Sequence, residues 1–151
     1  MKFCNTLIAV KDMEQSLQFY KNLFGQKVTL DLGWCKTLTC GLVLHSHFDK
    51  ITGLSADTMK YGSNTMELYF ETENLDKFIA LLDKYPDVKR LHEPQTYGCQ
   101  QKGIHIYDPN GHLIEVSENM YPADRKYSGK KSEDNISTKI WALKKLGDIC
   151  H

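Results

Sequence analysis

The chain has 151 residues, which is enough for one compact domain with a full hydrophobic core. Its 19 basic and 19 acidic residues cancel, so no overall field attracts nucleic acid or an anionic membrane, and we expect neither as a partner. The first apolar run, residues 6–10, is too short to span a bilayer, and the five scattered cysteines lack a Cys-x-x-Cys pair, which is typical of reduced thiols in a cytoplasmic protein.

The first third of the chain predicts a strand, a helix and three further strands. Residues 5–10 alternate weakly as a strand, and Asp12 with Gln15 has the spacing of a capping box. The helix that follows has a broad apolar face and ends at Gly25. Short strands punctuated by glycines are predicted at residues 26–32, 35–40 and 42–48. The order is therefore β-α-β-β-β.

A polar connection over residues 49–64, with a short helical turn near residues 54–59, leads to the same order again. Residues 66–72 alternate, and Asn74 caps a helix that ends before Pro86. The remaining strands are predicted at residues 89–91, 103–107 and 113–118.

The two halves start in the same register. Asn5 and Glu67 are 62 positions apart, and so are Asp12 and Asn74. This spacing indicates an internal duplication. We therefore predict one domain over residues 1–118, built from modules at about residues 1–50 and 64–118.

The chain continues beyond this domain. Residues 119–134 are rich in Lys, Ser, Gly and charge, which predicts a linker, and residues 135–151 carry apolar side chains near helical spacing. A helix of this length is marginal alone, so we expect this C-terminal helix to dock on its own domain or on a neighbouring subunit.

A tight turn precedes the last predicted strand of the domain. Pro109 presets φ and Gly111 tolerates positive φ, so this segment predicts a reverse turn between antiparallel strands. The strand after the turn carries Glu115 between Ile114 and Val116. Two interpretations of Glu115 stay open. It lies on an ordinary exposed face of a sheet, or it points into a pocket and acts there as a metal ligand or a catalytic acid/base.

Residues 7–25 and 107–115 together resemble the vicinal-oxygen-chelate superfamily, which includes glyoxalase I, bleomycin-resistance and fosfomycin-resistance proteins and extradiol dioxygenases. The motif residues are Asp12, Phe19, Tyr20, Gly25, Asp108, Pro109, Asn110, Gly111 and Glu115. The resemblance covers roughly the first four-fifths of the chain. It implies an α+β fold in which paired β-α-β-β-β modules form a curved mixed sheet with a concave cavity.

The resemblance also implies metal-ligand positions, which fall on Asn5, Glu67 and Glu115, with a further glyoxalase position near Val43. Histidine is commoner than Asn or Glu at the first two positions. We expect a divalent cation (Mg, Mn, Ni or Zn), and the oxygen donors favour Mg²⁺, Mn²⁺ or Ca²⁺ over zinc or iron. Without a metal, the catalytic candidates Glu115 and Glu67 would suit proton transfer. An equally good interpretation is that both are solvated polar residues at the mouth of the cavity, with no chemical role.

Other side chains are candidates for substrate binding. His105 and Tyr107 share one strand face, Tyr69 lies on the expected concave side, and Trp34 would gate the pocket or simply pack. The spacing of His45 and His47 is that of a possible pair of metal ligands. The favoured interpretation is instead that both lie at an exposed edge of the sheet.

The function that this pattern favours is a glyoxalase-like protein that binds a small organic molecule in a concave β cavity. It would act as a divalent-metal-dependent lyase or isomerase beside a carbonyl. The alternative is a metal-free sequestering protein of the bleomycin-resistance type, and a third hypothesis is a partner-binding module that uses the C-terminal helix. We also expect a homodimer.

Overall fold

The computed structural model describes residues 1–98 and 100–119. The predicted C-terminal helix, Cys99 and all of the predicted linker except Asn119 lie outside the described residues. The elements in chain order are β1 (Leu7–Ala9), α1 (Met13–Phe24), β2 (Val28–Asp31), β3 (Cys35–Leu38), β4 (Val43–His45), α2 (Phe48–Thr52), a 3-10 helix (Ala56–Thr58), β5 (Ser63–Thr72), α3 (Leu75–Leu82), β6 (Gln95–Thr96), β7 (Lys102–Tyr107) and β8 (His112–Glu118).

Side-chain caps define the starts of both long helices. The Asp12 Oδ1 accepts a hydrogen bond from the backbone N–H of Gln15 at 2.9 Å, and Asn74 Oδ1 accepts from the N–H of Lys77 at 2.8 Å. Helix α1 ends at Gly25, whose φ of 64° is in the left-handed region. The two caps occupy the positions that the duplication predicted, so each module begins with the same strand, cap and helix.

Each module contributes one four-stranded mixed sheet. The strand orders are β1-β4-β3-β2 and β5-β8-β7-β6, and the first strand of each module is parallel to its last. A groove lies between the two modules and is lined by residues 3–6 before β1, residues 40–42 before β4 and residues 67–71 of β5. This arrangement confirms the predicted α+β class and its paired modules.

Some predicted strands differ from those observed. The fourth strand ends at His45 rather than at residue 48, because His47 has a φ of 54° and caps α2. The strand predicted at residues 89–91 is reduced to one bridge between Arg90 and Ile106, and the edge strand lies later, at Gln95–Thr96. Strand alternation predicts that Met66 faces the helices together with Leu68 and Phe70, but Met66 is 49% exposed because the β5–β8 register shifts before Glu67.

One continuous core joins the two modules. Phe24 at the end of α1 packs on Phe70 of β5, with ring centroids 4.3 Å apart, and on Phe78 of α3 at 5.7 Å. Because these contacts cross from the first module to the second, the two modules share one hydrophobic core. The buried cluster comprises Ile8, Val10, Phe19, Tyr20, Leu23, Leu38, Leu42, Leu44, Leu75, Phe78, Leu82, Ile104, Ile106, Ile114 and Val116.

No helix among the described residues is both long and apolar enough to cross a membrane.

Candidate metal centre

Strand β8 places Glu115 in the middle of the second sheet. Its neighbour on the parallel strand β5 is Tyr69, and its neighbour on the antiparallel strand β7 is His105. Because side chains alternate along a strand, these three lie on one face, and Glu67, two residues before Tyr69, shares that face. Ile114 and Val116, on the opposite face of β8, are buried in the core.

Three potential ligands converge on this face. One ligand atom from each of Glu67, His105 and Glu115 lies within 4.8 Å of the other two. The His105 Nε2 is 3.2 Å from Glu67 Oε2 and 3.8 Å from Glu115 Oε2. The side chains of His105 and Glu115 are 16% and 15% exposed, whereas that of Glu67 is 41% exposed.

The two distances from His105 Nε2 are close to those between neighbouring ligands of one metal ion. With metal–ligand bonds of about 2.1 Å, neighbouring ligand atoms lie about 3.0 Å apart around an octahedral ion and about 3.4 Å apart around a tetrahedral one. The imidazole of His105 adds a donor that Mn²⁺, Ni²⁺ and Zn²⁺ accept more readily than Mg²⁺ or Ca²⁺. Three protein ligands leave coordination positions for a substrate, as catalytic sites require.

Neighbouring side chains hold two of these groups. Ser117 Oγ donates to Glu115 Oε1. On the far side of the His105 ring, Nδ1 is 3.0 Å from His92 Nε2 and 3.0 Å from Tyr97 Oη. The imidazole is therefore fixed from behind while Nε2 faces the carboxylates.

Asn5 lies in the wall of the same groove as Glu67. Its Nδ2 donates to the carbonyl of Gly41 at 2.7 Å, across the first module. Asn5, Glu67 and Tyr69 all line a groove of about 730 Å³ between β5 and the segment that precedes β1. Asn5 thus belongs to the wall of the groove beside the cluster, while Val43 is buried in β4.

The two tyrosines predicted to bind substrate occupy different places. Tyr69 lines the groove, accepts a hydrogen bond from Gln101 Nε2 at 2.8 Å and donates to Glu71 Oε1 at 3.2 Å. Burial, reinforced by nearby carboxylates, raises the pKa of Tyr69, so its hydroxyl stays protonated at neutral pH. Tyr107 instead donates to Asn64 Oδ1 at 3.2 Å and lines a second cavity of about 820 Å³ beside α1.

Trp34 and the two histidines of the first module lie in other surroundings. Trp34 stacks on His47, with ring centroids 4.8 Å apart, and Lys50 Nζ lies over its ring. His45 is buried, with Nδ1 donating to the carbonyl of Ser46, so the predicted exposed edge is wrong for His45. His45 ends the strand and His47 lies beyond it, so the two histidines do not share one side of a strand, as their spacing had predicted.

Sequence reasoning missed His92 and Tyr97. Both lie in the segment between α3 and β7, where no periodic pattern reports which side chains face the sheet. Ser117 was detectable, since it has the same strand parity as Glu115. His105 was predicted to contact substrate, and the structure places it among the potential metal ligands.

A family model described as a glyoxalase-like domain matches residues 3–121. The chain belongs to the glyoxalase-like domain family. This membership confirms the predicted resemblance to the vicinal-oxygen-chelate superfamily, and the match ends close to the predicted end of the domain.

Solved structures resemble this glyoxalase-like chain along most of its length. A protein of unknown function from Agrobacterium tumefaciens str. C58 is 30% identical, with a TM-score of 0.70 over 80% of this chain and 95% of its own. A glyoxalase/bleomycin resistance protein/dioxygenase family enzyme from Burkholderia phytofirmans PsJN is 14% identical, with a TM-score of 0.66 over 76% of this chain and 96% of its own.

A lactoylglutathione lyase from Agrobacterium tumefaciens is 19% identical, with a TM-score of 0.60 over 78% of this chain and 93% of its own. At 14% and 19% identity, the two enzymes show that the fold is shared and no more than that. No curated protein matches the chain significantly.

Proposed function

We propose that this glyoxalase-like chain is a divalent-metal-dependent lyase or isomerase that moves a proton beside a carbonyl group of a small organic molecule. The observation that carries the proposal is the convergence of Glu67, His105 and Glu115 within 4.8 Å on the open face of the sheet. Two carboxylates and an imidazole form a donor set suited to Mn²⁺, Ni²⁺ or Zn²⁺.

The three ligands would have different roles. His105 and Glu115, which are mostly buried and held by neighbouring side chains, would anchor the ion. A divalent cation bound there supplies Lewis-acid polarisation of a carbonyl oxygen. Glu67 is the most exposed of the three and would accept a proton on a carboxylate oxygen from the carbon beside that carbonyl and return it to the product.

The groove indicates the class of substrate. Among the described residues that line it there is no Lys or Arg, whereas Glu67 and Glu71 are both present. An anionic substrate would have no cationic side chain to pair with in this lining. Phe3, Leu42 and Phe70 offer apolar surface, and the Tyr69 hydroxyl offers a hydrogen-bonding group. A neutral or cationic molecule with an apolar body therefore fits best.

Metal content and metal affinity test the proposal directly. Purified protein should carry, or take up, one Mn²⁺, Ni²⁺ or Zn²⁺ per chain by elemental analysis and calorimetric titration. Glu115→Gln and His105→Ala should each weaken binding by more than about 100-fold, since changes beyond the ligand shell already cost about 10- to 100-fold. Glu73→Gln, at an exposed bend after β5, is the matched control and should bind like the unaltered chain.

Absence of bound metal together with no thermal shift on adding any of the three ions would contradict the proposal and favour the metal-free sequestering alternative. Equal metal affinities of Glu115→Gln and the control would show that the metal binds somewhere other than this cluster.

We also propose that the protein forms a homodimer and that it lies in the cytoplasm. Light scattering of the purified protein tests the first of these expectations, because a dimer has twice the 17.4 kDa mass of the chain. Fractionation of expressing cells tests the second.

A further inference from the structure

A second histidine lies directly behind the potential metal ligand His105. His92 Nε2 is 3.0 Å from His105 Nδ1, and the rings meet nearly edge to face with centroids 5.0 Å apart. The other nitrogen of His92, Nδ1, is 2.7 Å from the backbone carbonyl of Glu93. Both rings are half-buried, so these contacts face little competition from water.

The carbonyl of Glu93 determines where the protons lie. A carbonyl oxygen only accepts hydrogen bonds, so His92 Nδ1 must carry a proton and donate it. In the neutral imidazole, His92 Nε2 then has no proton and can only accept. The contact of 3.0 Å therefore requires His105 Nδ1 to be the donor.

This proton arrangement fixes the chemistry of the opposite side of the His105 ring. With its single proton on Nδ1, neutral His105 presents a bare lone pair on Nε2. That lone pair faces Glu67 Oε2 at 3.2 Å and Glu115 Oε2 at 3.8 Å. Three electron-rich atoms this close repel one another, and a cation bound between them would relieve that repulsion, so the same arrangement prepares the cluster for a cation.

We propose that His92 is a positioning residue that holds the proton of His105 on Nδ1, through the Glu93 carbonyl, and thereby aims the Nε2 lone pair at the metal. The inference rests on the proposed metal centre. Tyr97 does not select the tautomer, because its hydroxyl, 3.0 Å from His105 Nδ1, is able either to donate or to accept. Its part is to support the ring from the same side.

The tautomer is measurable without any metal. In metal-free protein with ¹⁵N-labelled histidine, at about pH 8 where histidine is ordinarily neutral, the nitrogen chemical shifts of His105 should show a protonated Nδ1 and a bare Nε2. In His92→Phe the acceptor is gone, and the proton should move to Nε2 to bond Glu67. His92→Gln keeps an acceptor oxygen and should restore the original tautomer, and Tyr97→Phe should leave it unchanged.

Metal affinity provides the second measurement. His92→Phe should weaken Mn²⁺ or Zn²⁺ binding by about 10- to 100-fold, the usual effect of losing the partner of a ligating histidine. His92→Gln should recover most of that loss. His47→Gln, which changes an exposed histidine stacked on Trp34, is the control and should have no effect.

An Nε2-protonated His105 in the unaltered protein would overturn the inference, and so would equal metal affinity in His92→Phe and His92→Gln. These outcomes differ from failure of the proposed function. A chain that binds no metal refutes the metal centre, whereas the nitrogen shifts of the metal-free protein still decide which tautomer His92 imposes.

Discussion

At the scale of single residues, Glu115 depends on a close-packed layer beside it. Gly103 lies opposite Ser117 on the neighbouring strand, and a Cβ at Gly103 would be 2.3 Å from Ser117 Oγ and 2.8 Å from Tyr97 Cε2. The missing side chain thus leaves room for Ser117, which is fully buried and donates to Glu115. The carboxylate is held in one orientation by a hydroxyl that has little freedom to move.

Ser117→Ala should therefore weaken metal binding without unfolding the protein. Loss of the hydroxyl frees the Glu115 carboxylate, and we expect an affinity for Mn²⁺ about 10-fold lower by calorimetric titration. Ser55→Ala, at an exposed position before the 3-10 helix, should bind metal normally. An unchanged affinity in Ser117→Ala would show that the ligand orientation does not depend on this bond.

At the scale of elements, the turn between β7 and β8 connects the second sheet to helix α1. Asp108 accepts hydrogen bonds from the backbone N–H of Asn110 at 2.9 Å and of His112 at 2.8 Å, and from the Tyr20 hydroxyl of α1 at 3.1 Å. Asn110 in turn donates to Ser16 Oγ at 3.0 Å. The sequence motif is therefore a turn whose polar side chains also join the two modules.

The close approach of two backbone segments requires glycine at this turn. A Cβ at Gly62 would be 2.3 Å from the carbonyl oxygen of Gly111, so the chain before β5 packs against the turn through two glycines. Gly111 itself has a φ of 87°, which favours glycine.

Asp108 should make stability depend on pH. Burial alone would raise its pKa, but hydrogen bonds from His112 and Asn110 hold the pKa below the ordinary value of 3.8. Because the folded pKa is below the unfolded one, this stabilisation is complete above the unfolded value and is lost as the pH falls through the folded value. Acid should thus weaken the link between the turn and α1.

Asp108→Asn should lower the free energy of unfolding at neutral pH by about 2 kcal/mol, the scale of hydrogen bonds to a charged group. The difference from the unaltered protein should narrow as the pH falls below about 4, where the native carboxyl also becomes protonated. Denaturant unfolding at a series of pH values measures both effects, with Asp57→Asn, exposed in the 3-10 helix, as the control. A constant difference across the series would assign the loss to packing rather than charge.

At the scale of the whole molecule, the shared core brings the segment before β1 and the turn before β4 beside β5 and so creates the groove. The groove residues come from both modules, and the charged ones are Glu67 and Glu71. A divalent cation would offset the charges of Glu67 and Glu115, which leaves Glu71 as the charge that a bound molecule meets. The charge that the groove prefers in a ligand therefore depends on how the two modules pair.

Three catechols of similar size test this. With the metal-loaded protein, we expect affinity to fall from cationic dopamine to neutral 4-methylcatechol to anionic protocatechuate. Glu71→Gln should reduce the preference for dopamine over protocatechuate by about two- to fivefold, the range of an exposed charge pair. Equilibrium binding measured by fluorescence quenching gives the ranking, and Glu73→Gln should keep it. Tightest binding of protocatechuate would contradict the proposed substrate class.

The sequence by itself determined the local elements and the fold family. Asp12 and Asn74 act as the predicted helix caps, and Glu115 lies on the face of β8 opposite the buried Ile114 and Val116, because capping and strand alternation depend only on nearby residues. Strand ends were less predictable, as His47 shows, because a single left-handed residue ends β4.

Only the tertiary structure decided which groups meet. It placed His105 with the two glutamates, because the register of β7 against β8 puts His105 directly opposite Glu115. It also brought His92 behind His105 from an irregular segment. Such contacts depend on strand order, register and loop path, which arise from packing across the whole chain and leave no periodic trace in the sequence.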